Sequence, residues 1–297
     1  MHLKVINLDN SLTSQVALKN ATTINALSFA SKTRIFARKK TIYDFIQHIG
    51  QPPQNEPEII FYGSGDFHHL TAALISRHTE PLTVIHFDNH PDWVKFPATY
   101  NCGAWVNRAL DMPHVKKMIT LGVNSKDLEN PERKYANLQA LNNGTLQLYP
   151  WSQATSCVKG SYGFNDSYQQ LGNYINWKTL STKIWPDFAQ QLIKTVFTEA
   201  IYITIDKDVL GSNEATTNWD QGSMPLAYIT SMIKTLSKKF KILGIDVCGD
   251  YSRPKFADPF RFALAYFDHP KKLDPGREQL YVNDQANQTL IKCFESL

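Results

Sequence analysis

Residues 82–93 read LTVIHFDNHPDW, an apolar run of strand length that passes without a break into Asp88, His90 and Asp92. The run is rich in β-branched residues and too short for a helix, so it predicts a buried, parallel-type strand. The segment beyond it is not an ordinary turn. A turn needs one Asp or Asn, whereas here two carboxylates and an imidazole stand at every second position. Such groups repel or desolvate one another unless a cation lies between them.

Similar runs recur on either side: residues 58–62 (EIIFY), 117–121 (KMITL), 200–205 (AIYITI) and 241–247 (KILGIDV), with a short strand within residues 1–10. Segments with helical spacing alternate with them. They are marked by Leu70, Ala73 and Leu74; by Trp105, Ala109 and Leu110; by Phe188, Leu192, Ile193 and Val196; and by Ile229, Met232, Ile233 and Leu236. Strands alternating with helices predict an α/β protein of three layers around a mostly parallel central sheet. The 297 residues read as a single domain, 1–297, with a weakly patterned, loop-rich insertion over 124–174.

Composition excludes several classes. With 42% hydrophobic and 20% charged residues the chain has the make-up of a soluble globular protein. Its net charge of +4 is spread along the sequence, which argues against a nucleic-acid partner. No apolar run approaches the length of a membrane helix, so no membrane partner is expected. Cys102, Cys157, Cys248 and Cys293 lie far apart and form no CxxC pair. Reduced thiols and a cytoplasmic location are therefore the expectation. Oligomeric state is open, a homo-oligomer included.

In open α/β sheets the site lies beyond the carboxyl ends of the strands. Three of these ends carry ligand-type residues: Asp66, His68 and His69 after the 58–62 run, Asp88, His90 and Asp92 after the 82–87 run, and Asp206 and Asp208 after the 200–205 run. Alone, each has a plain reading as a cap, a turn or a helix start. Together, and in this order, they predict a metal site. Asp88, Asp92, Asp206 and Asp208 together carry about −4 of charge, which two divalent cations would neutralise. Hard oxygen donors with a minority of imidazole favour Mn²⁺ over Zn²⁺, with Fe²⁺, Ni²⁺ and Co²⁺ left open.

The stretches GSGDFHHL (63–70), FDNHPD (87–92) and ITIDKD (203–208) resemble, in order and context, the three metal-binding motifs of the ureohydrolases, the arginase and agmatinase family. Those motifs read approximately GGDH, DAHxD and SxDxD. The resemblance spans about two thirds of the chain, from residue 58 to 254. It implies the arginase/deacetylase-like fold and a pair of Mn²⁺ ions. Asp88 and Asp206 would bridge the two ions, and His90, Asp92, Asp208 and one histidine of the first motif would complete the set. Phe67 is an extra residue there; alignment through Leu70 selects His68, with His69 as the runner-up.

The departures from the family pattern bear on substrate. Where the family has a GNIHG-like segment, this chain has YNCGAW (100–105), placing Cys102 at the position of the family's catalytic His. Cys102 is thus a catalytic candidate, though packing as a small residue is the stronger reading, and Asn101 joins the substrate-binding candidates. Near the last strand the family's DxxE aligns Asp246 with its Asp and Gly249 with its Glu, so Asp250 becomes the candidate partner for a guanidinium and for catalysis. Trp93 is a candidate for the pocket mouth; the other tryptophans read as core.

DNHPDW followed by NCGAW is similar to the branch that includes the peptide arginases, which convert arginine residues of ribosomal precursor peptides to ornithine and release urea. Absence of recognisable clamps for a free amino acid fits an arginine-containing peptide as the partner. In that reading Asp92 also orients the attacking water, and His86 and His69 are candidates for delivering a proton. The alternatives are a small-molecule ureohydrolase of the arginase or agmatinase kind, a metal-dependent deacetylase or amidohydrolase on the same fold, and a non-catalytic metal- or peptide-binding module.

Overall fold

The β-branched runs pair into one sheet. A computed structural model describes residues 2–54, 56–95, 100–256, 258–269 and 275–297. Among the described residues the sheet has eight strands: β1 (His2–Asn7), β2 (Thr22–Asn25), β3 (Glu58–Phe61), β4 (Leu82–Phe87), β5 (Val115–Leu121), β6 (Leu146–Tyr149), β7 (Ala200–Asp206) and β8 (Lys241–Cys248). Their spatial order is β2-β1-β3-β8-β7-β4-β5-β6, and every neighbouring pair is parallel. All carboxyl ends therefore open on one edge, where ligands collect in such sheets.

Helices cover both faces, making three layers. Lys39–Ile49, Leu70–Ile75, Trp105–Leu110 and Leu138–Asn142 pack on one face, around Phe45, Leu70, Trp105 and Leu141. Trp185–Thr195, Leu226–Ser237 and Arg277–Glu295 pack on the other, around Phe188, Ile229 and Leu290. Strand alternation feeds both cores. On β7, Ile201, Ile203 and Ile205 point into the second core, each buried side chain worth roughly 1.5–3 kcal/mol. Tyr202 points into the first, and Thr204 lies on the same face.

The 124–174 segment contains β6, which closes the main sheet at one edge, besides most of a separate antiparallel sheet of Thr155–Cys157, Phe164–Asn165, Tyr168–Leu171 and Tyr174–Trp177. Strands β3 and β7, whose ends carry the first and third motifs, are not neighbours; β8 runs between them.

Candidate metal centre

Each ligand-type residue sits close to the end of a strand whose alternation aims it. On β4, Ile85 and Phe87 enter the second core, so His86 and then Asp88 fall on the opposite face. On β8, Ile245 and Val247 do the same and leave Asp246 and Cys248 beside Thr204 and Asp206, their register partners on β7. After β3 the chain turns through Gly63 (φ +96°) and a single 3₁₀ turn, Gly65–Phe67, which delivers His68 to the head of the Leu70–Ile75 helix.

The side chains converge. Nδ1 of His68 lies 3.0 Å from Asp88 Oδ2, 3.2 Å from Asp92 Oδ2 and 3.6 Å from Asp206 Oδ2. His90 Nδ1 lies 2.9 Å from Asp208 Oδ2 and 3.5 Å from Asp88 Oδ1. Asp88 therefore stands between the two imidazoles. Backbone donors fix the carboxylates: His90 N to Asp88 Oδ1 at 2.6 Å, Asp208 N to Asp206 Oδ1 at 3.0 Å, and Asn89 N to Asp208 Oδ1 at 3.1 Å. Asp92 takes a left-handed φ of +46°, uncommon for a residue with a side chain, and accepts from Trp105 Nε1 at 2.7 Å.

Beneath this layer lies a second one. His68 Nε2 meets Thr204 Oγ1 at 3.1 Å, and Thr204 donates to Asp246 Oδ1 at 2.7 Å. Asp246 is fully buried and also takes donors from Tyr202 (2.8 Å), Thr71 (3.0 Å) and Tyr62 (3.4 Å). His86 Nε2 supports Asp88 Oδ2 at 2.9 Å, with Thr120 behind it at 3.1 Å. Asp66, despite its motif position, faces away from the cluster: it pairs with Arg34 and accepts from Trp219 Nε1 (3.1 Å), with His269 Nε2 at 2.7 Å.

These residues fit a pair of divalent cations. His68 Nδ1 is buried among three carboxylates yet is aligned for a hydrogen bond with none of them. Burial and then the charge of Asp88 push Asp92 up to about 6. Burial, with the neighbouring carboxylates next, raises Asp206 and raises Asp208 well above the usual range. The imidazoles respond in the opposite sense: burial would lower His68 and His90, but the adjacent carboxylates raise both. Crowded anions around an unaligned imidazole are the signature of a site shaped for cations. Asp88, His90 and Asp208 form one donor group, and His68, Asp88 and Asp92 belong to another that His86 extends.

The cluster floors a cavity of about 490 Å³. Val94, Asn101, Cys102, Ser125, Lys126, Asp127, Trp219 and Asp220 form its walls. The structure thus brings His68, Asp88, His90, Asp92, Asp206 and Asp208 together, with Asn101 and Cys102 beside them. It does not bring in Asp250. That carboxylate is buried on Lys207 Nζ (2.7 Å) and Gln15 Nε2 (2.6 Å), so it has no face for a guanidinium. Gly249 turns the chain at φ +91°, and a Cβ there would overlap Asp206 Oδ1 and the Lys207 backbone N, so no side chain can stand at that position either. Trp93 is likewise absent from the mouth; it is buried against Trp177, and Val94 lines the wall instead.

His69 and His86 do not line the cavity. Both ring nitrogens of His69 are buried without partners, and burial with nearby Arg261 and His68 pushes it down to about 3. Sequence reasoning missed Trp219 and Asp220, whose loop carries no ligand pattern, and Cys248, which donates to Asp206 Oδ2 at 3.2 Å. For His86 a signal existed as support rather than proton donor: the every-second-residue pattern of Asp88 and His90 extends back to it.

Residues 30–147, which hold the first two motifs, match the family model described as Arginase family. A curated relative, an uncharacterized protein of Thermotoga maritima, is 24% identical over 204 residues, 69% of this chain. The match spans 60% of that relative's length. Formimidoylglutamase from Bacillus subtilis has a similar structure, with a TM-score of 0.56 at 15% identity, over 97% of this chain and 87% of its own. An arginase from Bacillus subtilis gives 0.55 at 11% identity, over 98% and 96%. At such identities the likeness is one of fold. The chain thus carries an Arginase-family match over residues 30–147, set within the three-layer α/β fold that these solved structures share.

Proposed function

We propose that the protein is a metal-dependent hydrolase of a guanidino C–N bond, acting on an arginine residue within a peptide to leave ornithine and release urea. The observation that carries this reading is the convergence of His68, Asp88, His90, Asp92, Asp206 and Asp208 on the floor of one open cavity. The family match over residues 30–147 supports it. Divalent cations held there, Mn²⁺ by the preference of the donor set, would supply a water acidified to a nucleophile near neutral pH.

The chain's own residues do the rest. Asp92 presents Oδ2 at the floor, fixed by Trp105, where it can accept from an attacking water and orient it toward the guanidinium carbon. A planar cation needs an anionic partner. Among the described residues, Asp127 and Asp220 are the carboxylates on the walls; Asp127 is held by Ser125 Oγ (3.2 Å) and Lys134 Nζ (2.9 Å), and we assign it that role. An arginine inside a peptide has no α-carboxylate or α-amine to grip, in keeping with the unrecognisable amino-acid clamps. Lys126 on the same wall favours a second reading, a small guanidino acid whose carboxylate would meet that ammonium.

Metal analysis and then a urea assay test both. The expected result is that kcat/KM for an arginine-containing peptide exceeds that for free arginine by about a hundredfold, roughly 2.7 kcal/mol of transition-state stabilisation. Comparable rates would favour the small-molecule reading. No urea from peptide, arginine or agmatine by a fully metal-loaded protein would overturn the hydrolase assignment.

A further inference from the structure

The two clustered imidazoles differ in what holds their second nitrogen. His68 Nε2 meets a neutral hydroxyl, Thr204 Oγ1, at 3.1 Å. His90 Nε2 meets a carboxylate, Asp220 Oδ1, at 2.9 Å. We propose that Asp220 is a positioning residue of the metal centre, holding the Nε2–H of His90 so that Nδ1 is left bare toward Asp208 and Asp88. This deepens the metal-hydrolase reading and rests on it.

A neutral imidazole carries one ring proton, and a metal takes the nitrogen without it. Whatever accepts from the other nitrogen therefore decides which atom can ligate. At His90 the acceptor is on Nε2, and the free nitrogen points at Asp208 Oδ2 (2.9 Å). Asp220 is itself placed by the ligand loops. Asn89, between Asp88 and His90, donates its Nδ2 to the Asp220 carbonyl (2.9 Å) and to Oδ2 (3.3 Å). Gly222 N donates to the Asp208 carbonyl at 2.6 Å, which ties the same segment to the third motif. Trp219 packs its ring edge-on to His90, with centroids 5.6 Å apart, and limits rotation of the imidazole. The Asp220 side chain is 55% exposed, so the fold does not need it.

The test is calorimetric titration of Mn²⁺ into metal-free wild-type, Asp220→Asn, Asp220→Ala and Asp220→Glu proteins, with thermal melts of the metal-free forms. We expect Asp220→Asn and Asp220→Ala to weaken one of two ions by about 10–100-fold. The second ion and the metal-free Tm should stay near wild type, and Asp220→Glu should recover part of the loss. Wild-type affinity for both ions in Asp220→Ala would overturn the proposal, as would unchanged affinity with a raised KM, which would make Asp220 a substrate carboxylate. A wild-type protein that binds no Mn²⁺ would overturn the Mn²⁺ centre itself and this proposal with it, and that is read before any variant is compared.

Discussion

His68 and His90 occupy opposite sides of Asp88 and live in different surroundings. His68 is fully enclosed, packed against Trp105 at 4.9 Å and His86 at 5.1 Å between ring centroids, and anchored through Thr204 to a buried carboxylate with four hydroxyl donors. His90 stands where the cavity floor meets Trp219 and Asp220 of the wall, anchored by a half-exposed Asp220 and a tryptophan edge. The deep side is built into the sheet and its first core. The shallow side is assembled from loops alone, after β4 and after the third motif. Local stability follows buried contacts, so the shallow side is where the centre yields first.

Asp88 is the point where the comparison collapses, because it touches both imidazoles. Asp88→Ala should abolish activity and take bound Mn²⁺ from about two ions per chain to less than one. Elemental analysis of the purified variant decides it. Retention of one full ion would mean that the sides are independent and that Asp88 serves only one of them.

Replacing the imidazoles separately sharpens the contrast. His68→Ala should cost far more bound metal than His69→Ala, since His69 is buried away from the cavity with both nitrogens facing no ligand. His90→Ala should release the shallow ion and leave the deep one, giving about one ion per chain by the same assay. Greater loss from His69→Ala would show that the turn at Gly65–Phe67 presents the other imidazole in solution.

Much of this was legible because it is local. Strand β4, whose alternation turns His86 and then Asp88 to one face, leads straight into His90 and Asp92, and each of the three motifs is complete within a few residues. Strand β2 was not legible, since Thr22–Asn25 lies at the sheet edge with little burial and so lacks an apolar pattern. Strand β6 (LQLY) was hidden in polar surroundings, although all four residues are buried. Trp219 and Asp220 reach the site because Asp66, Asn89 and Asp208 draw their segment in, a long-range event with no local mark. Asp250 was misplaced for the converse reason. Its spacing from Asp246 suggested the site, but the positive φ of Gly249 sends it to the Gly63 carbonyl and the Lys207 ammonium instead.

That displacement gives the smallest expected effect on chemistry and a clear one on stability. Lys207 lies between Asp206 and Asp208 of the cluster, yet its ammonium is fully buried, 2.7 Å from Asp250 Oδ2 and 2.9 Å from Asn287 Oδ1. Asp250 also accepts from Gln15 Nε2, and Asn287 donates to Gln15 Oε1 at 2.5 Å, so the network ties the third motif to the Arg277–Glu295 helix. Removing one charge of a buried pair leaves the other without compensation, at a cost of about 3 kcal/mol. Asp250→Asn should therefore lower the unfolding free energy of the metal-free protein by that amount, read from its denaturant midpoint. In folded, metal-loaded protein it should change kcat/KM by less than about fivefold, under ~1 kcal/mol. The outcome that would restore Asp250 to the substrate is the reverse pattern, wild-type stability with activity lost by about a hundredfold. That result would require Lys207 to release the carboxylate when a guanidinium arrives, and the two rings of contacts around His68 and His90 would then share a third, mobile neighbour.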